Sequence, residues 1–191
     1  MWGKKNTEDV YLTCGNVIQR VKDGKIKTIL VPEDHPEITF YDIWGEENGN
    51  VLALGNDYSI LTCYIYQIKP DNSWQVIHHS PAVLDGIWGY AGKWYFGDWG
   101  SLIEWDGTKF RTVTFGLGNP YRVRGNHEND IFITYQNGHV LHWNGSTWED
   151  IYHDEYEAIT VTGVSVSENA IYFCGLAASQ QPVILVGKRS K

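Results

Sequence analysis

Two arginines, Arg122 and Arg124, are the first candidates for chemistry in this sequence. They lie in a segment that is similar to other segments of the chain, and Arg124 stands where two of those segments have Trp44 and Trp88. A residue that breaks a repeat is not required by the repeated fold, so function is often found at such positions. Paired guanidinium groups suit a carboxylate or a phosphate, because each can donate two parallel hydrogen bonds.

Acidic and aromatic residues are expected beside these arginines. Asp42 and Asp85 stand at nearly the same position of their repeats as Arg122. The alternative to a ligand is an ion pair within the fold, between the arginines and one of these carboxylates or Asp98. Tyr41 and Tyr121 are neighbours of these residues in the chain and are expected to line the same ligand site. The predicted ligand site therefore combines cations, carboxylates and phenol rings.

Three further candidates lie in turns and loops. Trp99 is part of Gly-Asp-Trp-Gly, which predicts a turn and an exposed indole ring. Exposed aromatic rings stack on sugars or anchor protein partners, although this ring could also fold back over its own sheet. His127 and Glu128 follow the arginines in a loop, where solvated side chains are the simpler interpretation.

Metal binding and catalysis have little support in the sequence. His139 and His142 have the spacing HxxH, but residues three apart on a strand point to opposite faces and cannot chelate one ion. No nucleophile motif, phosphate loop or zinc-protease motif is present. The three cysteines, Cys14, Cys63 and Cys174, are too few and too unevenly spaced for a disulfide framework. We therefore expect no catalytic residue, no metal and no cofactor.

The elements that position these residues are repeated along the whole chain. Equivalent residues of five segments recur about every forty residues, namely Val10, Val51, Trp94, Ile131 and Ile171. Each segment contains three or four short apolar runs, and runs such as DVYL and DIFI lack a polar face, which is typical of strands covered on both sides. The predicted repeats cover residues 1–37, 38–81, 82–118, 119–157 and 158–191. The tryptophans that recur between segments are interpreted as packing between sheets, and these are Trp2, Trp44, Trp74, Trp88, Trp105, Trp143 and Trp148.

Regular turns separate the last two strands of three segments. Asp23-Gly24, Asp106-Gly107 and Asn144-Gly145 are dipeptides that tolerate positive φ at both central positions of a tight hairpin.

The repeat resembles that of many bacterial β-propellers, loosely related to the kelch, neuraminidase-type and photosystem-assembly-factor-type repeats. The similarity rests on Asp42-Ile43-Trp44-Gly45, on SLIEWDG at residues 101–107, and on the run from His139 to Trp148. It implies an all-β fold in which residues 1–191 form a single propeller, most simply with five blades of three to four antiparallel strands. It also implies a ligand near the central channel. Such propellers occur as lectins, scaffolds and parts of enzymes, so the resemblance does not identify a function.

We expect a non-catalytic binding module that acts as an interaction scaffold. The first alternative is a carbohydrate-binding lectin that uses exposed loop aromatics, and the second is a propeller enzyme or enzyme subunit. The expected partner is a protein or a small glycan, with a homodimer as the outcome of an incomplete ring. The net charge of −8 disfavours nucleic acid and anionic membranes. The N-terminus lacks the apolar core of a signal peptide, so a cytoplasmic location is expected unless such a peptide has been removed.

Overall fold

The computed structural model describes residues 1–153 and 159–188, which form an all-β structure. The chain divides into two compact units, residues 1–92 and residues 93–191, and each is considered by itself. In the described ranges, no helix has the length and hydropathy needed to cross a bilayer.

The first unit contains nine strands. They are β1 (Trp2–Gly3), β2 (Val10–Cys14), β3 (Val17–Lys22), β4 (Lys25–Leu30), β5 (Thr39–Gly45), β6 (Val51–Asp57), β7 (Thr62–Ile68), β8 (Trp74–Ser80) and β9 (Leu84–Tyr90). Strands β1 to β4 form one antiparallel sheet in chain order, and β5 to β8 form a second. Strand β9 packs against β5 and β6.

The described part of the second unit contributes the remaining ten strands. They are β10 (Lys93–Asp98), β11 (Ser101–Trp105), β12 (Phe110–Thr114), β13 (Pro120–His127), β14 (Asp130–Tyr135), β15 (Val140–Trp143), β16 (Trp148–Tyr152), β17 (Thr160–Val166), β18 (Ala170–Leu176) and β19 (Pro182–Lys188). Strands β10 to β12, β13 to β16 and β17 to β19 are antiparallel and adjacent in chain order.

The chain thus supplies five antiparallel sheets, one after another along the sequence, the third of which includes β10 to β12. Four sheets have four strands and the last has three. The predicted all-β fold of propeller type, with five blades of three to four strands, is confirmed. The expected boundary between the fourth and fifth repeats, at residues 157 and 158, falls within the segment 154–158, which lies outside the described residues.

In the second and fourth sheets, the second strand is the most deeply buried. Every residue of β6 and of β14 is buried, because both faces of each strand are covered. This observation explains why the corresponding runs in the sequence lack a polar face.

Three of the four repeated tryptophans of the first unit pack as expected, whereas Trp74 is 43 % exposed, against the prediction that it packs between sheets. Trp2 is buried against Gly45, where a Cβ atom would lie 2.7 Å from the indole ring. The indole Nε1 of Trp44 donates a hydrogen bond of 3.0 Å to the carbonyl of Gly89, and Trp88 is buried. Only glycine fits at residue 45, so the close approach of β1 and β5 depends on it.

The tight turns differ from the prediction in one respect. Both Asp23 and Gly24 have positive φ, but in the other two dipeptides only Gly107 and Gly145 do. In those turns a side-chain oxygen stabilises the backbone instead, as when Asp106 Oδ1 accepts hydrogen bonds of 2.8 Å from the amides of Thr108 and Lys109. Positive φ at both positions was therefore a correct expectation only for the first turn.

Candidate functional site

The two arginines proposed from the sequence lie on β13, an edge strand of its sheet. Arg122 Nη1 donates a hydrogen bond of 2.9 Å to the carbonyl of Tyr121, and its guanidinium carbon lies 4.6 Å from the centre of the Tyr121 ring. Arg124 Nη1 donates to the carbonyl of Val123 at 2.8 Å. Both guanidinium groups are half-buried and are held close to their own strand.

Asp42, by contrast, has a structural role in the first unit. Its carboxylate is buried, with Oδ1 accepting from the amide of Ile43 at 3.0 Å and Oδ2 accepting from the amide of Ile87 at 3.2 Å. The carboxylate therefore connects β5 to β9 through backbone hydrogen bonds. Asp85 is also buried, and Tyr41 is half-buried.

Trp99 lies in the turn between β10 and β11, and 53 % of its surface is exposed, as its turn position predicts. Asp98 shapes this turn, because its carboxylate accepts from the amide of Trp99 at 2.6 Å and from the hydroxyl of Ser101 at 3.1 Å. The Asp98 carboxylate thus supports the turn that carries the tryptophan.

His127 is the last residue of β13, where it pairs with Asp130, so the loop predicted for it was wrong, and only Glu128 lies in the loop between β13 and β14. The Nδ1 atom of His127 lies 3.0 Å from Asn129 Oδ1, and a carboxylate oxygen of Glu128 lies 3.9 Å from Lys93 Nζ. Glu128 also lines a cavity of the second unit that the sequence did not reveal.

This cavity, hereafter the wedge cavity, has a volume of about 710 Å³ and lies between strands β10 to β12 and strands β13 to β16. The two sets of strands approach closely at Gly97, where a Cβ atom would lie 3.3 Å from the carbonyl oxygen of Pro120. A volume of this size falls within the range of about 300–1,000 Å³ that is usual for sites that bind small molecules.

One wall of the wedge cavity comes from β10 to β12. Tyr95, Glu104 and Arg111 are directly opposite one another on these three strands, so their side chains share a face of the sheet. Lys93 lies two residues before Tyr95 and therefore on the same face. Trp94, Trp105 and Phe110 also line the cavity from these strands, so this wall combines charged with aromatic side chains.

The other wall comes from the fourth sheet. Trp143 and Trp148 are paired across β15 and β16, and their ring centres are 5.5 Å apart with an angle of 42° between the ring planes. Trp148 also makes an edge-to-face contact with Phe115 at 5.4 Å. Asn129 and Glu128 complete this side of the cavity. The repeat pattern assigned both tryptophans to packing, and their position in the cavity wall was missed.

The electrostatics of the cavity follow from burial and from local hydrogen bonds. Burial, followed by the nearby carboxylates of Glu104 and Glu128, raises the pKa of Tyr95 to about 12. A hydrogen bond from the Thr108 hydroxyl, supported by two backbone amides, lowers the pKa of Asp106 to about 2. At neutral pH the cavity therefore presents a neutral phenol and an ionised aspartate.

The arrangement suits noncovalent binding. Its walls combine indole rings with carboxylate, guanidinium, ammonium and amide groups. Over residues 1–153 and 159–188, no group of three or more His, Cys, Asp or Glu side chains is placed to hold a metal ion.

Of the ten residues predicted for a ligand site, only Glu128 lines the wedge cavity. The others divide between the two units, with Tyr41, Asp42 and Asp85 in the first. The remaining six belong to the second unit, and these are Asp98, Trp99, Tyr121, Arg122, Arg124 and His127. The opposite charges of Glu104 and Arg111 are visible in the sequence, but only the pairing of β11 with β12 shows that these two residues are neighbours.

No protein-family model and no curated protein sequence matches this chain. Solved structures do resemble it. Sqt1 from Saccharomyces cerevisiae has a TM-score of 0.68 at 14 % identity, with 98 % of this chain and 57 % of that chain covered. The Pan2 WD40 domain of Neurospora crassa has a TM-score of 0.71 at 11 % identity, with coverages of 100 % and 62 %. A chain of the Mitotic Checkpoint Complex has a TM-score of 0.72 at 8 % identity, with coverages of 95 % and 63 %.

These similarities place the chain among folds of the WD40 and β-propeller type. The chain spans about 60 % of the length of each of these three structures. At such low identities the comparisons establish the fold alone, and membership of the particular bacterial repeat family stays a prediction.

Proposed function

We propose that this chain is a non-catalytic β-propeller module that binds a protein partner through its last sheet. The observation that carries the proposal is an exposed apolar surface on β18 and β19, hereafter the apolar end face. It is formed by large side chains with exposures of 49 % for Tyr172, 42 % for Leu176, 71 % for Ile184 and 53 % for Val186.

Strand pairing makes these side chains one continuous surface. Tyr172 lies directly opposite Val186, and Cys174 lies opposite Ile184. Contiguous exposed apolar residues on a soluble protein mark interaction sites, because covering them removes apolar area from water.

The outer edge of β19 supports the same interpretation. The last sheet has three strands where the other four have four, and no described strand pairs with the free edge of β19. Val183 and Leu185 of this strand pack on the inner core while Ile184 and Val186 are exposed, so β19 is apolar on both faces. A long apolar edge strand is a template for the addition of a strand from another chain.

The chemistry of the partner follows from these two features. An extended segment with alternating apolar residues would pair with β19 and cover the apolar end face. Each copy of this chain carries a net charge of −8, and mutual repulsion between copies favours a different protein over self-association. The protein-containing assembly named for one structural neighbour, the Mitotic Checkpoint Complex, is consistent with an interaction role for the fold.

The test is a selection of random peptides displayed on phage against the purified chain, followed by titration of the selected peptides. We expect peptides with alternating apolar residues, and we expect Ile184→Lys to weaken their binding at least tenfold. Ile60→Lys is the matched control, since Ile60 is also an exposed isoleucine, with an exposure of 60 %, and lies in the first unit.

Equal binding of the selected peptides to wild type and to Ile184→Lys would contradict the proposal. If analytical ultracentrifugation showed a stable dimer that Ile184→Lys dissociates, the apolar end face would bind a second copy of this chain and not a different protein. Hydrolytic or transfer activity that survives purification would instead favour the enzyme alternative.

A further inference from the structure

We infer that the wedge cavity is a second binding site, which takes a neutral oligosaccharide. This inference is independent of the proposed protein interaction, because the cavity and the apolar end face have no residue in common.

The aromatic wall supplies the surface on which a sugar ring would stack. Trp143 and Trp148 are only partly buried, and the contact of Trp148 with Phe115 fixes the orientation of its ring. The C–H bonds on one face of a pyranose form an apolar patch of about the size of an aromatic ring. Burying that patch on an indole ring is favourable for the same reason as other apolar burial.

The opposite wall supplies hydrogen-bonding groups. Glu104 and Arg111 are cross-strand neighbours, yet none of the hydrogen bonds or ion pairs of the described chain engages either side chain. A sugar hydroxyl both donates and accepts, so neighbouring hydroxyls match a carboxylate beside a guanidinium. Asn129 directs its Oδ1 toward His127, which leaves its amide nitrogen as a donor on the other side of the cavity.

The balance of charge selects a neutral ligand. The cavity is lined by three basic and three acidic side chains, which are Lys93, Lys109, Arg111, Glu104, Asp106 and Glu128. Their formal charges cancel, although the whole chain carries −8. A nucleotide would require an excess of basic side chains, and a polybasic peptide an excess of acidic ones, because a cleft attracts ligands whose charge is opposite to that of its lining.

The site differs from the one that the sequence favoured for a lectin. Trp99 is exposed in its turn, but it does not line the wedge cavity. Its carboxylate neighbour, Asp98, is engaged in shaping the turn. The walls of the cavity offer stacking and hydrogen bonding together, whereas the turn offers an aromatic ring alone.

The experiment is a glycan array probed with the purified full chain, with neutral glucosyl, galactosyl and mannosyl oligosaccharides beside sialylated and sulfated ones. We expect binding to neutral glycans, and we expect the same sugars free in solution to compete. Trp148→Ala should weaken the binding of the best free sugar at least tenfold in calorimetry. Glu104→Gln, which keeps the shape of the side chain, should weaken it several-fold. Trp99→Ala is the matched control and should bind as wild type does.

Three outcomes would overturn the inference. The first is an array without binding to any neutral glycan. The second is glycan binding that Trp99→Ala abolishes and that Trp148→Ala and Glu104→Gln leave intact. The third is a displayed peptide whose binding depends on Trp148 and is not displaced by sugars. Ile184→Lys should leave sugar binding unchanged, so failure at one site is distinguishable from failure at the other.

Discussion

The second unit contains two spaces between neighbouring sheets, and they differ in what fills them. Between β13 to β16 and β17 to β19, Phe132, Val161, Ile171 and Phe173 pack into a continuous core. Between β10 to β12 and β13 to β16, which meet closely at Gly97, part of the corresponding space is the wedge cavity of about 710 Å³. Similar sheets thus enclose a packed core in one place and a cavity in the other.

The difference lies in the residues that face the fourth sheet. From the fifth sheet, the face is apolar and includes Ile171 and Phe173. From the third sheet, Glu104 and Arg111 carry the charge, and charged groups lose much hydration energy if they are packed against a dry wall. One space is therefore closed by apolar burial, and the other is kept open to solvent. The fold requires the first, and the second is available for binding.

The largest predicted effect concerns the filled space. Phe132 is buried, makes an edge-to-face contact with Phe173 at 6.2 Å and stacks on His142 at 4.4 Å. Phe132→Ala should lower the free energy of unfolding by about 3–5 kcal/mol, because it removes a large buried ring and leaves a cavity. Urea denaturation followed by circular dichroism measures this change.

The matched variant in the open space is Trp148→Ala, which removes a larger ring from the wall of the wedge cavity. Its cost should be only about 1–2 kcal/mol, because the ring is already partly exposed and truncation leaves no closed void. An equal loss of stability in the two variants would show that the two spaces do not differ in the way described.

The sequence predicted the fold because its signals are local. The runs at Val51 and Ile131 show burial on both faces within a few residues, and Asp-Gly and Asn-Gly dipeptides mark the turns directly. Asp42 was predicted for the ligand site, although Asp85 stands at nearly the same level of the next repeat. The sequence did not show that the Asp42 carboxylate binds the backbone amides of Ile43 and Ile87.

The candidate site could not be read in the same way. Tyr95, Glu104 and Arg111 come from three strands, and only the pairing register places them on one face. The sequence also does not say which face of a sheet opposes which neighbour. Trp143 and Trp148 looked like packing because they recur, and recurrence does not distinguish a filled space from an open one. The breaks in the repeat are Arg122 and Arg124, and neither lines the wedge cavity.

A pH-dependent effect of similar size is expected from Tyr95, which belongs to the wall of the open space. Its pKa is about 12 in the folded chain, mainly because of burial, against about 10 in an unfolded chain. The neutral phenol therefore stabilises the fold fully below pH 10, and this contribution is lost as the pH rises from 10 toward 12.

The difference in unfolding free energy between wild type and Tyr95→Phe should accordingly change by about 2 kcal/mol over that interval, with wild type losing more. Urea denaturation of both proteins between pH 9 and pH 11.5 measures it. Tyr66, whose pKa is also about 12, is present in both proteins, so its contribution cancels. A constant difference across this range would mean that Tyr95 is well solvated and that the wedge cavity extends deeper than its walls indicate.

The smallest effect is predicted for the ion pair at the rim of the wedge cavity. Lys93 and Glu128 are 3.9 Å apart with side-chain exposures of 59 % and 54 %, so water and salt screen their attraction. Lys93→Ala should change the free energy of unfolding by less than about 0.5 kcal/mol. Arg20 and Asp9 of the first unit show the contrasting case, with two hydrogen bonds of 2.7 and 2.6 Å between groups that are mostly buried.

Arg20→Ala is therefore the reference for an ion pair that contributes to the fold, and its loss should be clearly measurable in the same urea experiment. If Lys93→Ala proved as costly, the charged wall of the wedge cavity would be part of the structural framework. If it is neutral, as expected, the Lys93–Glu128 pair is free of a structural requirement. Its charges at the rim of the wedge cavity are then available to a ligand, whereas Trp148 and Tyr95 serve both the fold and the proposed site.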